Sequence, residues 1–114
     1  MAKGKKTTTD FARFVGAKLA KNPELAEAVE EARIAADIAE EIYQARNEAG
    51  LTQKELADRI GSHQSVIARL EDSDYEGHTV SILRRIAAAT GKHLSVGFYA
   101  KPAKVAKRRR LATD

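Results

Sequence analysis

Two short helical stretches meeting at one glycine constrain this chain more than any other feature. Thr52-Gln53-Lys54-Glu55 has the pattern of a capping box: the Thr52 hydroxyl can accept from the Glu55 amide while the Glu55 carboxylate reaches back to the Thr52 amide. A helix therefore starts there, with Leu56, Ala57 and Ile60 on its apolar side, and Gly61 stops it after about two turns. Ser62 or His63 can cap the next stretch, Gln64 to Glu71, whose inward residues by spacing are Ile67 and Leu70. Crossing two helices within so few residues needs a small side chain at the crossing and a residue tolerant of positive φ at the corner. Ala57 and Gly61 supply them. The second helix then stands proud enough to enter a major groove about 12 Å wide.

The flanking sequence is helical too. Phe11, Phe14, Val15 and Leu19 fall at helical spacing behind Asp10, a candidate N-cap, while the nine residues before it offer nothing to bury and are expected to lack fixed structure. Asn22-Pro23 opens a further helix. Leu25, Val29 and Ala32 form one stripe and Ile34, Ile38, Ile42, Ala45 and Ala49 a second, read either as one long bent helix or as two meeting near Ala35, ending at Gly50. Thr79 caps a helix with Val80, Ile82, Leu83, Ile86 and Ala87 turned inward, closed by Gly91. Leu94, Val96 and Phe98 then alternate with His93, Ser95 and Gly97, the period of a strand with one buried face. The fold class expected is all-α, five or so short helices around a helix-turn-helix core, with one C-terminal β-strand used for pairing.

Charge divides the chain. Residues 1–21 carry six bases and one acid, residues 22–48 eight acids and two bases, residues 49–91 five bases and six acids, and residues 92–114 seven bases and one acid. Two basic ends around an acidic helical block point to two partners, one polyanionic and one cationic; a solvated helix face is the plainer account of the acids. The expected organisation is a basic N-terminal arm with a short amphipathic helix at 1–22 and an acidic helical extension at 23–40. A DNA-binding unit at 41–92, a dimerisation strand at 93–100 and a basic flexible tail at 101–114 follow. That tail either tracks phosphates or merely solubilises the chain.

Several classes recede. With no cysteine there is neither a disulfide framework nor a thiolate zinc site or nucleophile. His63, His78 and His93 stand fifteen residues apart on different elements, without the paired spacing of a metal site. No glycine-rich phosphate loop or nucleophile elbow is visible, so no enzyme, metal or cofactor is expected. No apolar run approaches the roughly 20 residues that span a bilayer. A cytoplasmic, nucleoid-associated protein without membrane contact is the expectation.

The run QKELADRIGSHQSVIARLE, Gln53 to Glu71, resembles the helix-turn-helix of Xre/Cro-like repressors, whose core is lambda-repressor-like. The resemblance implies roles for individual residues. Gln53 would donate to a phosphate, Gln64 would read adenine bidentately, and Ser65 and Arg69 would continue the exposed face, Arg69 toward guanine or a phosphate. Val66 and Ala68 would touch thymine methyls. Ser62 and His63 would lie at the phosphate-facing turn, where His63 departs from the usual Ser or Thr. More widely, ARNEAGLTQKELADRIGSHQSVIARLE and TVSILRRIAAATGKHLSVGF look like HigA-type antitoxins of type II toxin-antitoxin systems. That implies a homodimer repressing its own operon through double-stranded operator DNA, with a cognate basic RNase toxin of the HigB/RelE-like mRNA endonuclease class as partner. The acidic block would neutralise such a toxin. Leu94, Val96 and Phe98 would pair with a second copy or with a toxin sheet. A stand-alone repressor without toxin is the alternative.

Overall fold

The computed structural model describes the backbone of residues 2–101 and the side chains of residues 10–101. Apart from Lys101, the basic tail expected at 101–114 lies outside the described residues, as do the side chains of the arm's first nine residues. Five helices follow one another: α1 (Ala2–Lys21), α2 (Pro23–Glu48), α3 (Gln53–Arg59), α4 (Gln64–Leu70) and α5 (Val80–Ala89).

α1 begins well before Asp10, which sits inside the helix instead of capping it. Threonine costs a helix only about 0.5 kcal/mol, so Thr7 to Thr9 do not stop it. Along its apolar side Val15 and Leu19 are half-buried, whereas Phe11 and Phe14 remain exposed.

α2 is one continuous helix, which settles the choice between one helix and two. The Asn22 side chain accepts from the Leu25 amide at 3.0 Å, and Pro23, lacking an amide hydrogen, occupies the first turn where none is needed. At the other end Gly50 adopts φ 72°, and the amides of Gly50 and Leu51 return to the carbonyls of Asn47 and Arg46. The buried face is Ala35, Ala39, Ile42 and Arg46, spaced four, three and four. It is rotated from the predicted isoleucine stripe: Ile34 is 45% exposed and Ile38 only partly covered.

The core gathers Ile42, Leu51, Leu56, Ala57, Ile67, Leu70 and Ile86, drawn from α2, α3, α4, α5 and the α2–α3 turn. Leu56 and Ile67 are fully buried, each contributing about 1.5–3 kcal/mol by leaving water. Thr79 caps α5 by accepting from the Ile82 amide at 3.2 Å, and Gly91 at φ 72° closes it. Val80, predicted to face inward, is 66% exposed, because the first residue of the helix lies beyond the edge of the core.

The strand predicted at 93–100 is absent: the described residues contain helices and no strand. Leu94 is half-buried, while Val96 and Phe98 stand in solvent at 75% and 103% of full exposure. A strand exists only when paired, and the described residues offer no sheet edge. No helix among the described residues is long and apolar enough to cross a membrane.

Candidate nucleic-acid interface

α3 and α4 meet where the sequence demanded a small residue. Ala57 is 1% exposed at the crossing, Gly61 takes φ 69°, and the Ser62 amide donates back to the Ala57 carbonyl at 2.8 Å. The capping box on α3 is complete, with Glu55 N donating to Thr52 Oγ1 at 3.0 Å and Thr52 N to Glu55 Oε1 at 2.8 Å. α4 has no such closure: His63 occupies the N-cap position, but its side chain makes no cap bond, and neither Ser62 nor His63 caps as predicted. An imidazole is too long and too rigid to fold onto the amides one turn ahead, the short reach that favours Ser, Thr, Asp and Asn there.

Ile67 and Leu70 anchor α4 to the core, which turns Gln64, Ser65, Ala68 and Arg69 together into solvent. His63 is exposed beside them, and Ser62 is half-buried in the turn. Val66 departs from expectation. It packs against the core cluster, one position before Ile67, so it is not an outward contact for a thymine methyl.

The second departure concerns Gln53. Instead of pointing freely outward it is half-buried, donating from Nε2 to Glu71 Oε1 at 3.2 Å. Its own Oε1 faces Gln64 Nε2 at 3.5 Å, the outer limit of a hydrogen bond. The orientation follows from chemistry, since a carboxylate only accepts. Gln53 must turn its NH2 toward Glu71, its oxygen toward Gln64, and Gln64 must answer with a donor. Gln64 retains its carbonyl oxygen and its second N–H, the acceptor and donor that the N6 and N7 edge of adenine requires.

The carboxylate at the root of this chain is held by a residue the sequence reading missed. Arg46, from α2, donates from Nε to Glu71 Oε2 at 2.6 Å and from Nη2 to Glu71 Oε1 at 3.0 Å, while its Nη1 reaches the Leu51 carbonyl at 2.8 Å. The side chains are 10% and 5% exposed. Hydrogen bonding to Glu71, outweighing the cost of burial, raises the Arg46 pKa above its ordinary value. The Tyr43 ring lies 5.5 Å from the guanidinium. The only sequence signal was an arginine on the inward face of an amphipathic helix, four residues beyond Ile42.

Positive charge on the exposed face itself is sparse. Arg69 is the one base on the outward side of α4; Lys54 pairs with Asp58 at 3.3 Å, and Arg59 donates to the Ala89 carbonyl at 3.1 Å. The arrangement can therefore discriminate base edges, with the charge for phosphate binding supplied elsewhere. Residues 42–96 match the family model described as helix-turn-helix. That span begins at the end of α2 and leaves out α1 and most of the acidic helix. No curated protein matches the chain.

Proposed function

We propose that the helix-turn-helix domain formed by residues 42–96, the DNA-binding part of a transcriptional regulator, reads operator DNA as a homodimer and that the whole chain is an antitoxin repressing its own operon. The observation that carries the DNA reading is the joint exposure of Gln64, Ser65, Ala68 and Arg69 on α4, with Gln64 oriented through Gln53. Such a helix laid in the major groove places Gln64 and Arg69 against base edges, and Gln53 and the Ser62–His63 turn beside the backbone. Gln53 then works as a spacer between Glu71 and Gln64 as well as a phosphate neighbour.

For the dimer, support comes from the exposed apolar run Val96, Phe98 and Tyr99, which would become a strand on pairing with its copy. For the toxin, support comes from the resemblance to HigA-type sequences and from α2, which carries eight acids against Arg33 and Arg46 and leaves Leu25 and Val29 more than 40% exposed. The proposed partner is a basic RNase of the HigB/RelE-like class, held away from mRNA; the chain itself acts by binding and not by catalysis, at the nucleoid. Co-expression with a small basic reading frame, if one adjoins its gene, tests this. An antitoxin retains that protein through purification and suppresses its mRNA cleavage. Operator binding without any such partner leaves a stand-alone repressor.

A further inference from the structure

A shallow groove of about 250 Å³ runs between α2 and the loop before α5, floored by Ile34, Ala35 and Ile38 and rimmed by Glu31, Glu76 and His78. His78 is fixed there by a 2.9 Å contact between its Nε2 and the Leu70 carbonyl. The floor is apolar and both charged rim residues are acids. No ion pair among the described residues engages Glu31 or Glu76, whereas neighbouring Glu30 is taken by Arg33.

Each end of the described C-terminal segment faces an acid of α2. Lys92 forms an ion pair with Glu48 at the end of α2. Glu30's carboxyl is held below the ordinary carboxylate range first by its hydrogen bond from Arg33, then by Arg33's charge, and further by the charge of Lys101. Lys92 thus sits on Glu48, and Lys101 lies within Coulombic reach of Glu30. Eighteen helical residues separate those acids, about 27 Å at 1.5 Å each. Nine residues from Lys92 to Lys101, stretched out, cover about 30 Å. Nine residues are therefore enough to bridge the two acids, and the described chain ends at Lys101, whose charge is felt at Glu30, next to Glu31 of the groove.

We propose that residues 102–110 of this chain dock in the groove, an apolar residue among them, Val105, covering Ile34 and Ile38 while Lys104 and Lys107 meet Glu31 and Glu76. The occupant is chosen by three things on the molecule: where the described chain ends, the matched signs of charge, and the spacing of Lys101, Lys104 and Lys107 three apart with small apolar residues between them. Docking holds the tail bases against the protein, and duplex DNA competes for them.

Backbone relaxation of the full chain in low salt tests the assignment. Amides of residues 103–110 are expected to show order parameters near about 0.8, falling below about 0.6 in the Glu31→Lys, Glu76→Lys double variant while α4 resonances stay in place. Salt supplies a second arm without mutation. Raising it from about 0.1 M to about 1 M shortens the Debye length from about 10 Å to about 3 Å and should free the tail and shift the Ile34 and Ile38 amides. A tail already disordered in low salt overturns the proposal, as does order indifferent to both charge reversal and salt. Order that fades on dilution assigns the groove to a second copy's tail and overturns it equally.

Discussion

Arg46 and Glu71, twenty-five residues apart, form a bidentate ion pair at the end of α4, and Gln53 hangs from the same carboxylate. α4's register against α2 thus depends on a charge pair with almost no access to water. Removing one partner strands the other, which costs about 3–5 kcal/mol, whereas replacing both with apolar residues of similar volume is far milder. Arg46→Met and Glu71→Leu singly should lower the denaturation midpoint sharply in urea titrations, and the double variant should recover much of the loss. Additive losses would show that the pair is not coupled. The raised Arg46 pKa implies stability present throughout the physiological range, to be lost only as pH climbs through the folded-state value, so neutral-pH titrations should show no step from this arginine.

Gln64 and Arg69 divide the predicted base contacts. Gln64→Ala or Arg69→Ala should each cost about 1–3 kcal/mol on the operator and leave random duplex unaffected. Gln53→Ala removes the acceptor that orients Gln64 and should lose part of the same discrimination without touching a base. Fluorescence anisotropy on both duplexes decides; equal losses on random DNA would mean that these side chains contact phosphates only.

The glycines separate two physical causes. A methyl group at Gly61 would meet nothing within 4 Å, so Gly61→Ala is opposed only by φ 69° and should cost about 1–2 kcal/mol, with Gly61→Asn milder because asparagine tolerates that region. Gly77 has no positive φ, yet a Cβ there would collide with the Tyr75 ring, whose hydroxyl donates to the Gly77 carbonyl at 3.2 Å. Gly77→Ala should therefore disturb the loop bordering the α2 groove, visible as altered Tyr75 and His78 aromatic shifts. Thermal melts of Gly61→Ala, Gly61→Asn and Gly77→Ala give the ranking.

These positions also show what the sequence could and could not disclose. Caps and turns were legible because their chemistry is local: Thr52 with Glu55, Asn22 with Pro23, and Gly50, Gly61 and Gly91 at the helix ends. So was the outward set Gln64, Ser65, Ala68 and Arg69, which follows from Ile67 and Leu70 pointing in. Arg46 was not, because its partner lies on another helix and periodicity cannot pair residues across the fold. Val66 and Val80 were misplaced where helix ends let the core's edge override the average spacing. The strand at 93–100 failed for a different reason, since alternation fixes only a period and supplies no partner for the backbone.

Salt dependence weighs the contribution of the C-terminal bases. Residues 49–91 hold five bases and six acids, so the helix-turn-helix alone gains little from counterion release. Deleting residues 103–114 removes Lys104, Lys107, Arg108, Arg109 and Arg110. At about 0.9 per phosphate neutralised, the slope of log affinity against log salt should flatten by at most about 4.5, and by less if part of the tail stays in its groove when DNA is bound. Operator and random duplex should weaken alike, because phosphates carry no sequence, leaving the ratio between them near its original value. An unchanged slope would take the tail off the DNA altogether and leave the phosphate charge to be found on Arg84, Arg85 and the lysines of the amino-terminal arm.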